Sequence, residues 1–168
     1  HLGVTVETIE PGGKRDGDGL VVRTSSGMHT ADMVVLAVGI RPNVALAQAA
    51  GITLGATGAI AVNAEMRTND PDVFAAGDCA EAQHRLLDAP VYVPLGTTAN
   101  KQGKIAGANA AGAHERFAGI FGTAGFRVLD LEVARTGLGQ SEIDRVGLKA
   151  VKAVSTHQSK AHGYPGAK

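Results

Sequence analysis

The stretch TNDPDVFAAGDCAE, residues 68–81, carries the reading of the whole chain. Its apolar run narrows to Ala75-Ala76-Gly77 and then presents the Asp78 carboxylate beside Cys79, the chain's one cysteine. A strand that sheds side-chain bulk as it ends lets something large approach its backbone. A carboxylate at that point accepts a hydrogen bond from a hydroxyl of whatever has approached. Together these features predict a nucleotide cofactor lying across the strand end. The plainer alternative is an ordinary strand end whose acid caps the next turn.

Towards the N-terminus, VTVETIE (4–10) and LVVRT (20–24) read as strands around the polar, glycine-rich turn GGKRDGDG (12–19), and SSGM (25–28) as a further turn. DMVVLAVGI (32–40) is a continuous apolar run, the pattern of a strand buried on both faces. RPN (41–43) closes it, and NVALAQAAGI (43–52) predicts a short helix ending near Gly51. Short strands are expected at 59–63 and 73–76.

Towards the C-terminus, residues 82–95 read as an irregular link containing prolines. Residues 97–112 form the clearest helix, with Thr97 or Thr98 as N-cap and Gly112 as terminator. FRVLDLEVARTGL (126–138) alternates like a strand, SEID (141–144) has capping-box spacing, LKAVKAVST (148–156) is a further strand and HGYPGA (162–167) a turn.

Composition narrows the classes of function. Apolar residues make up 44% of 168, enough for a core, but aromatics only 4%, and the 23 glycines favour close backbone packing over large rings. Sixteen basic residues balance sixteen acidic ones and are not clustered, which argues against a nucleic-acid or anionic-membrane surface. One cysteine forms no internal disulfide, so a reducing cytoplasm is expected. No apolar run approaches the roughly 18–20 residues of a membrane-spanning helix. A start at His1 without Met and an end directly after YPGA predict a piece of a longer chain.

Three segments in order, VVLAVGIRPN (34–43), TNDPDVFAAGDCAE (68–81) and PLGTTANKQGKIAGANAAG (94–112), closely resemble the pyridine nucleotide-disulfide oxidoreductases, flavoproteins with two dinucleotide-binding domains. FRVLDLEVARTGL with SKAHGYPGAK (159–168) resembles the start of the interface domain in the coenzyme A-disulfide reductase branch and its NADH oxidase and peroxidase relatives. The resemblance implies an α/β fold: parts of two Rossmann-like, glutathione-reductase-type domains plus the start of an α+β interface domain. Residues 1–50 would finish the NAD(P)H-binding domain, 51–113 form the second half of the FAD-binding domain, and 114–168 begin the dimerisation domain.

The same resemblance implies FAD and NAD(P)H as cofactors, with no metal, and a homodimer. The substrate would be a small disulfide such as coenzyme A disulfide, or alternatively oxygen or peroxide. Residues 68–78 match the second flavin fingerprint, which puts Thr68, Ala76, Gly77 and Asp78 at FAD, with Asp78 accepting from a ribityl hydroxyl. Thr98 and Ala99 would stand at the helix end facing the flavin pyrimidine, and Gly39 near NAD(P)H. Asn100 and Lys160 would approach substrate, and Tyr164 would supply an aromatic hydroxyl to a partner's active site. The family often has two adjacent tyrosines before Pro-Gly, where this chain has Gly163-Tyr164.

Cys79 is assigned to packing, because the family's redox cysteine lies in an N-terminal half that this chain lacks. An acidic neighbour also disfavours a thiolate. Arg41 reads as a crossover-loop charge and His162 as part of an exposed turn. No G-x-G-x-x-G occurs. The first flavin loop and the NAD(P)H loop are thus missing, and the chain alone is expected to be inactive. A folding or association module is the competing reading.

Overall fold

The structure, a computed structural model, describes residues 2–12 and 19–156. It divides the chain into two compact units, His1–Arg41 and Pro42–Lys168.

The first unit is a three-stranded antiparallel sheet of β1 (Val6–Pro11), β2 (Leu20–Thr24) and β3 (Gly27–Ala31), in that order. Valines and leucine suit the half-buried central strand β2, whose Val21 is buried opposite Thr30. Thr24 tightens the β2–β3 turn by donating its hydroxyl to the Gly27 carbonyl at 2.9 Å. The strand β3 replaces part of the expected 25–28 turn.

Residues 32–40, expected as a buried strand, form none, and Val35 and Val38 are 79% and 89% exposed. A strand exists only through a ladder. The sheet ends at Ala31 on β3, and no described strand of this unit lies beside the run that follows.

In the second unit, α1 (Ala45–Ala49) leads into a segment held by single bridges rather than long strands: Leu54 with Ile60, Ile60 with Ala80, and Arg67 with Phe74. The strands expected at 59–63 and 73–76 shrink to these bridges. Asn63 supplies the reason. Its side-chain oxygen accepts from the N–H groups of Glu65 and Arg67 at 2.8 and 3.0 Å, which turns the chain at Met66 (φ 60°) and cuts the ladder. Arg67 also bonds the Pro71 carbonyl and lies over the Phe74 ring at 4.5 Å.

The expected irregular link contains a short hairpin, β4 (Ala82–His84) with β5 (Ala89–Val91), fastened by Gln83 to Asp88 at 2.9 Å. The helix α2 (Gly96–Ala110) follows, capped on the backbone by Leu95 rather than by a threonine side chain, and ended by Gly112 at φ 94°. Asn109 fastens its last turn. The amide donates to the carbonyls of Glu65 and Glu115, both at 2.9 Å, and accepts from the Glu115 N–H at 2.7 Å.

The single strand expected at 126–138 is a hairpin, β6 (Ala124–Val128) with β7 (Leu131–Arg135). Leu129 adopts φ 54° at its turn, a conformation that alternation of apolar residues does not signal. The helix α3 (Gln140–Val146) begins two residues earlier than SEID predicts. Glu142 reaches back to the Gly139 N–H at 2.6 Å, and the Glu142 N–H bonds the Gly139 carbonyl. Residues 148–156 form no strand, and Val151 is fully exposed.

Two apolar clusters hold the second unit. One joins Ile52, Ile60, Ala75 and Ala80; the other joins Met66, Ala82, Phe117 and Ile120 with α2 residues Ile105 and Ala106. Between them Glu81 is buried, its carboxylate accepting from the Thr57 hydroxyl at 2.8 Å and the Thr57 N–H at 3.1 Å.

A Cβ on Gly55 would overlap the Glu81 carboxylate. In the intact protein Gly55→Ala is therefore expected to cost about 1–3 kcal/mol, as it forces a buried, bonded carboxylate out of place. Adding Glu81→Ala should make the two losses markedly less than additive in thermal or denaturant unfolding. Simple additivity would mean that the glycine is not reserved for the acid.

Candidate functional site

The site begins where small residues end the second fingerprint segment. Ala75 is buried and donates its N–H to the Met66 carbonyl, and Gly77 then turns the chain at φ 84°, a conformation that glycine takes without strain. The turn closes when the Ala80 N–H meets the Gly77 carbonyl at 3.0 Å, and its far side pairs with Ile60 through Cys79 and Glu81. Asp78 stands out of this turn, exposed, and its carboxylate makes none of the hydrogen bonds or ion pairs found among the described residues. An acid capping its own turn would be bonded to it, so the plain capping alternative does not hold.

The helix α2 meets this turn from the side. Ala99 is the neighbour of Gly77, its Cβ lying 3.5 Å from where a Gly77 Cβ would be. Gln102, one helical step further, is wholly buried and bridges the two elements. Its Oε1 accepts from the Gly77 N–H and its Nε2 donates to the Glu81 carbonyl, each at 2.9 Å.

At the start of α2 the N–H groups of Thr98 and Ala99 already bond the Leu95 carbonyl, both at 2.9 Å. Among the described residues, the donors left over at this end are the N–H groups of Gly96 and Thr97. Thr97 and Thr98, expected as caps, are instead first-turn residues. Thr98 is buried, Ala99 half-buried and Asn100 exposed.

The structure thus brings Ala76, Gly77, Asp78, Thr98 and Ala99 into one neighbourhood, with Asn100 at its rim. Thr68, the other expected FAD residue, is engaged in its own turn. Its hydroxyl faces the carbonyls of Asp70 (3.2 Å) and Val73 (3.0 Å) and accepts from the Asp70 N–H (3.1 Å), closing the 68–73 turn. Cys79 packs against the Ile52–Ile60 cluster, its thiol 3.5 Å from the Ala76 carbonyl. Gly39 belongs to the first unit and adopts φ 87°. Tyr164, Lys160 and His162 lie outside the described residues.

Gln102 was missed in the sequence, yet it had a signal. Thr98, Gln102, Ile105 and Asn109 recur at helical spacing, and an amide on a buried stripe requires partners. His84 and Glu81 were also missed, since a lone buried acid or imidazole carries no spacing pattern. Among the described residues no group of histidine, cysteine and acids is arranged to hold a metal, and no helix is long and apolar enough to cross a membrane.

Apart from this neighbourhood, a concavity of about 680 Å³ opens between the β4–β5 hairpin and α3, bounded by His84, Tyr92, Arg135, Glu142 and Arg145. Glu142 holds its rim. The Gly139 N–H beside it keeps its carboxyl below the ordinary carboxylate range, burial opposes this, and Arg135 at 3.0 Å and nearby His84 add to the lowering.

The family model for pyridine nucleotide-disulphide oxidoreductases matches residues 1–114. The chain belongs to that family. The NAD(P)H sulfur oxidoreductase (CoA-dependent) of Pyrococcus furiosus is 41% identical to it over 145 residues, covering 86% of this chain and 33% of that protein. An NADH oxidase of Methanocaldococcus jannaschii is 36% identical over 141 residues, covering 84% and 31%. The solved NAD-dependent persulfide reductase of A. fulgidus superimposes with a TM-score of 0.86 at 35% identity, over 98% of this chain and 30% of that one. The α/β, Rossmann-type fold and the branch expected from the sequence are thereby established. The chain spans about a third of the length of the curated relatives it matches.

The lowered carboxyl of Glu142 predicts an acid-sensitive helix start. A depressed folded value contributes stability that is complete above about 4.5, the ordinary value, and is lost as pH falls through the folded value. Protection of the α3 amides in the intact protein, corrected for the intrinsic slowing of exchange in acid, should therefore fall as pH is lowered, and Glu142→Gln should remove that dependence. An acid profile identical in the variant would show that Glu142 does not anchor the helix.

Proposed function

We propose that the whole protein is an FAD-dependent NAD(P)H oxidoreductase that reduces a small disulfide or persulfide such as coenzyme A disulfide. In this reading residues 51–113 carry the ribityl side of the flavin site, 1–50 the end of the NAD(P)H-binding domain and 114–168 the start of a homodimer interface. The observation that carries it is the exposed Asp78 carboxylate on a glycine turn, fastened by Gln102 to the start of α2; among the described residues neither that carboxylate nor the Gly96 and Thr97 N–H groups have a partner.

The residues fit FAD chemically. Asp78 offers acceptor oxygens to a polyol. Ala76, Gly77 and Ala99 raise no bulk against a flat cofactor, and the start of α2 offers donors and a partial positive charge to an electron-rich ring edge. Bound FAD would supply two-electron transfer between nicotinamide and disulfide. The chain's own part would be to hold the ribityl hydroxyl at Asp78 and to stabilise negative charge at the ring through the α2 N-terminus. Gly39 in its left-handed conformation suits a close approach by NAD(P)H. Asn100, exposed beside the helix start, suits contact with a substrate. Lys160 and Tyr164 are assigned to the substrate by resemblance alone.

The disulfide reading is favoured over an oxidase by the higher identity of the sulfur reductase, 41% against 36% for the NADH oxidase. Oxygen or peroxide as oxidant is the second reading. A cytoplasmic site of action accords with the single, half-buried thiol.

The test uses the intact protein. The wild type should purify with flavin bands and reduce coenzyme A disulfide with NAD(P)H faster than it consumes oxygen. Asp78→Ala should weaken FAD retention on the order of tenfold to a hundredfold, as one charge-assisted hydrogen bond is lost. Cys79→Ser should leave turnover within a few-fold of wild type. A colourless wild type, or a Cys79→Ser variant that keeps flavin but loses turnover, would overturn these assignments.

A further inference from the structure

We propose that Gln102 is a positioning residue for flavin binding: its side-chain amide sets where Asp78 stands relative to the N-terminus of α2, so that the two act as one site. This rests on the FAD reading above. The amide is wholly buried and both its ends are used, on groups four residues apart. The two bonds bracket the Asp78-bearing turn.

The two ends of that turn differ in how they are otherwise held. At the far end Glu81 has its N–H on the Ile60 carbonyl and its carboxylate on Thr57. At the near end the Gly77 N–H has Gln102 Oε1 as its partner and no other among the described residues. Gly77 is also the pivot, at φ 84°, where rotation is least restrained. Loss of Gln102 therefore releases the turn at its hinge, and Asp78, the next residue, moves with it. The body of the unit keeps its other fastenings.

Asn109, seven residues along the same helix, provides an internal comparison. It is also a buried amide spanning backbone groups, but its hydrogen bonds go to Glu65 and Glu115 and, among the described residues, to nothing in the 77–81 turn. A purely structural role for Gln102 predicts that variants at the two positions behave alike.

The experiment uses the flavin-loaded intact protein, with Gln102→Met, Asn109→Leu, Asp78→Ala and the two double variants with Asp78→Ala. Thermal stability, the FAD dissociation constant and the visible-region circular dichroism of the flavin are measured for each. Both single amide variants should lose thermal stability. Gln102→Met should also weaken FAD binding about tenfold or more, since two backbone groups lose their partner, and change the flavin dichroism. Asp78→Ala should then cost severalfold less in the Gln102→Met background than alone, because the carboxylate is already displaced. In the Asn109→Leu background its cost should be unchanged.

Gln102→Glu adds an arm that is independent of the methionine variant's folding. The neutral acid has one donor and one acceptor in the amide's geometry, whereas the carboxylate has only acceptors. Wild-type flavin dichroism should return as pH is lowered and be lost again as it rises. Additive penalties for Asp78 and Gln102, or a Gln102→Glu spectrum that departs from wild type at every pH, overturn the proposal while the FAD reading stands; a wild-type spectrum held at every pH means the buried acid stays neutral and supports it. A wild type without flavin overturns both.

Discussion

A side-chain amide with one donor side and one acceptor side is satisfied only when two complementary groups sit at a fixed separation. Gln102 imposes that condition on the middle of the second unit, where the Gly77 N–H and the Glu81 carbonyl must both face α2. An unmet buried hydrogen-bonding group costs about 1–3 kcal/mol, so the amide excludes packings that would merely keep the apolar surfaces together. The alanines on either side make such selection necessary. Ala75, Ala80, Ala82 and Ala106 bury little area and define no unique fit. Directional bonds supply the register that small side chains leave open.

The same economy runs through the unit. Asn63, Thr68 and Asn109 each spend side-chain polar atoms on backbone groups. The segment bends around these polar side chains and leaves single bridges in place of strands. The carboxylate of Asp78 stands outside this pattern, exposed and without a bond among the described residues.

Much of this was legible in the sequence, and the limits are physical. The helix at 97–112 carried its own periodicity and terminating glycine, and α2 lies there within two residues. The turn at Gly77 was readable from the loss of side-chain bulk at Ala75-Ala76-Gly77, although the strand expected before it is a single bridge at Phe74. Residues 32–40 were misread because apolar continuity reports a preference for burial, whereas a strand requires a second strand. The hairpin turn at Leu129 was invisible because a leucine at positive φ contradicts local preference. Gln102 was passed over although its place on a buried stripe was available. Polar residues on such stripes repay inspection before charged ones on loops.

The bare run MVVLAVGI, 33–40, has a consequence for handling the molecule. It contains no charge and no proline, is rich in branched residues, and pairs its backbone with no strand among the described residues. That is the composition from which cross-β ladders grow, identical segments stacking at about 4.8 Å with their side chains interlocked. Arg41 and Pro42, directly after it, are the kind of residue that halts such stacking at a boundary. Shortened versions of the protein that keep 33–40 but discard these two residues are thus the ones most inclined to form fibres.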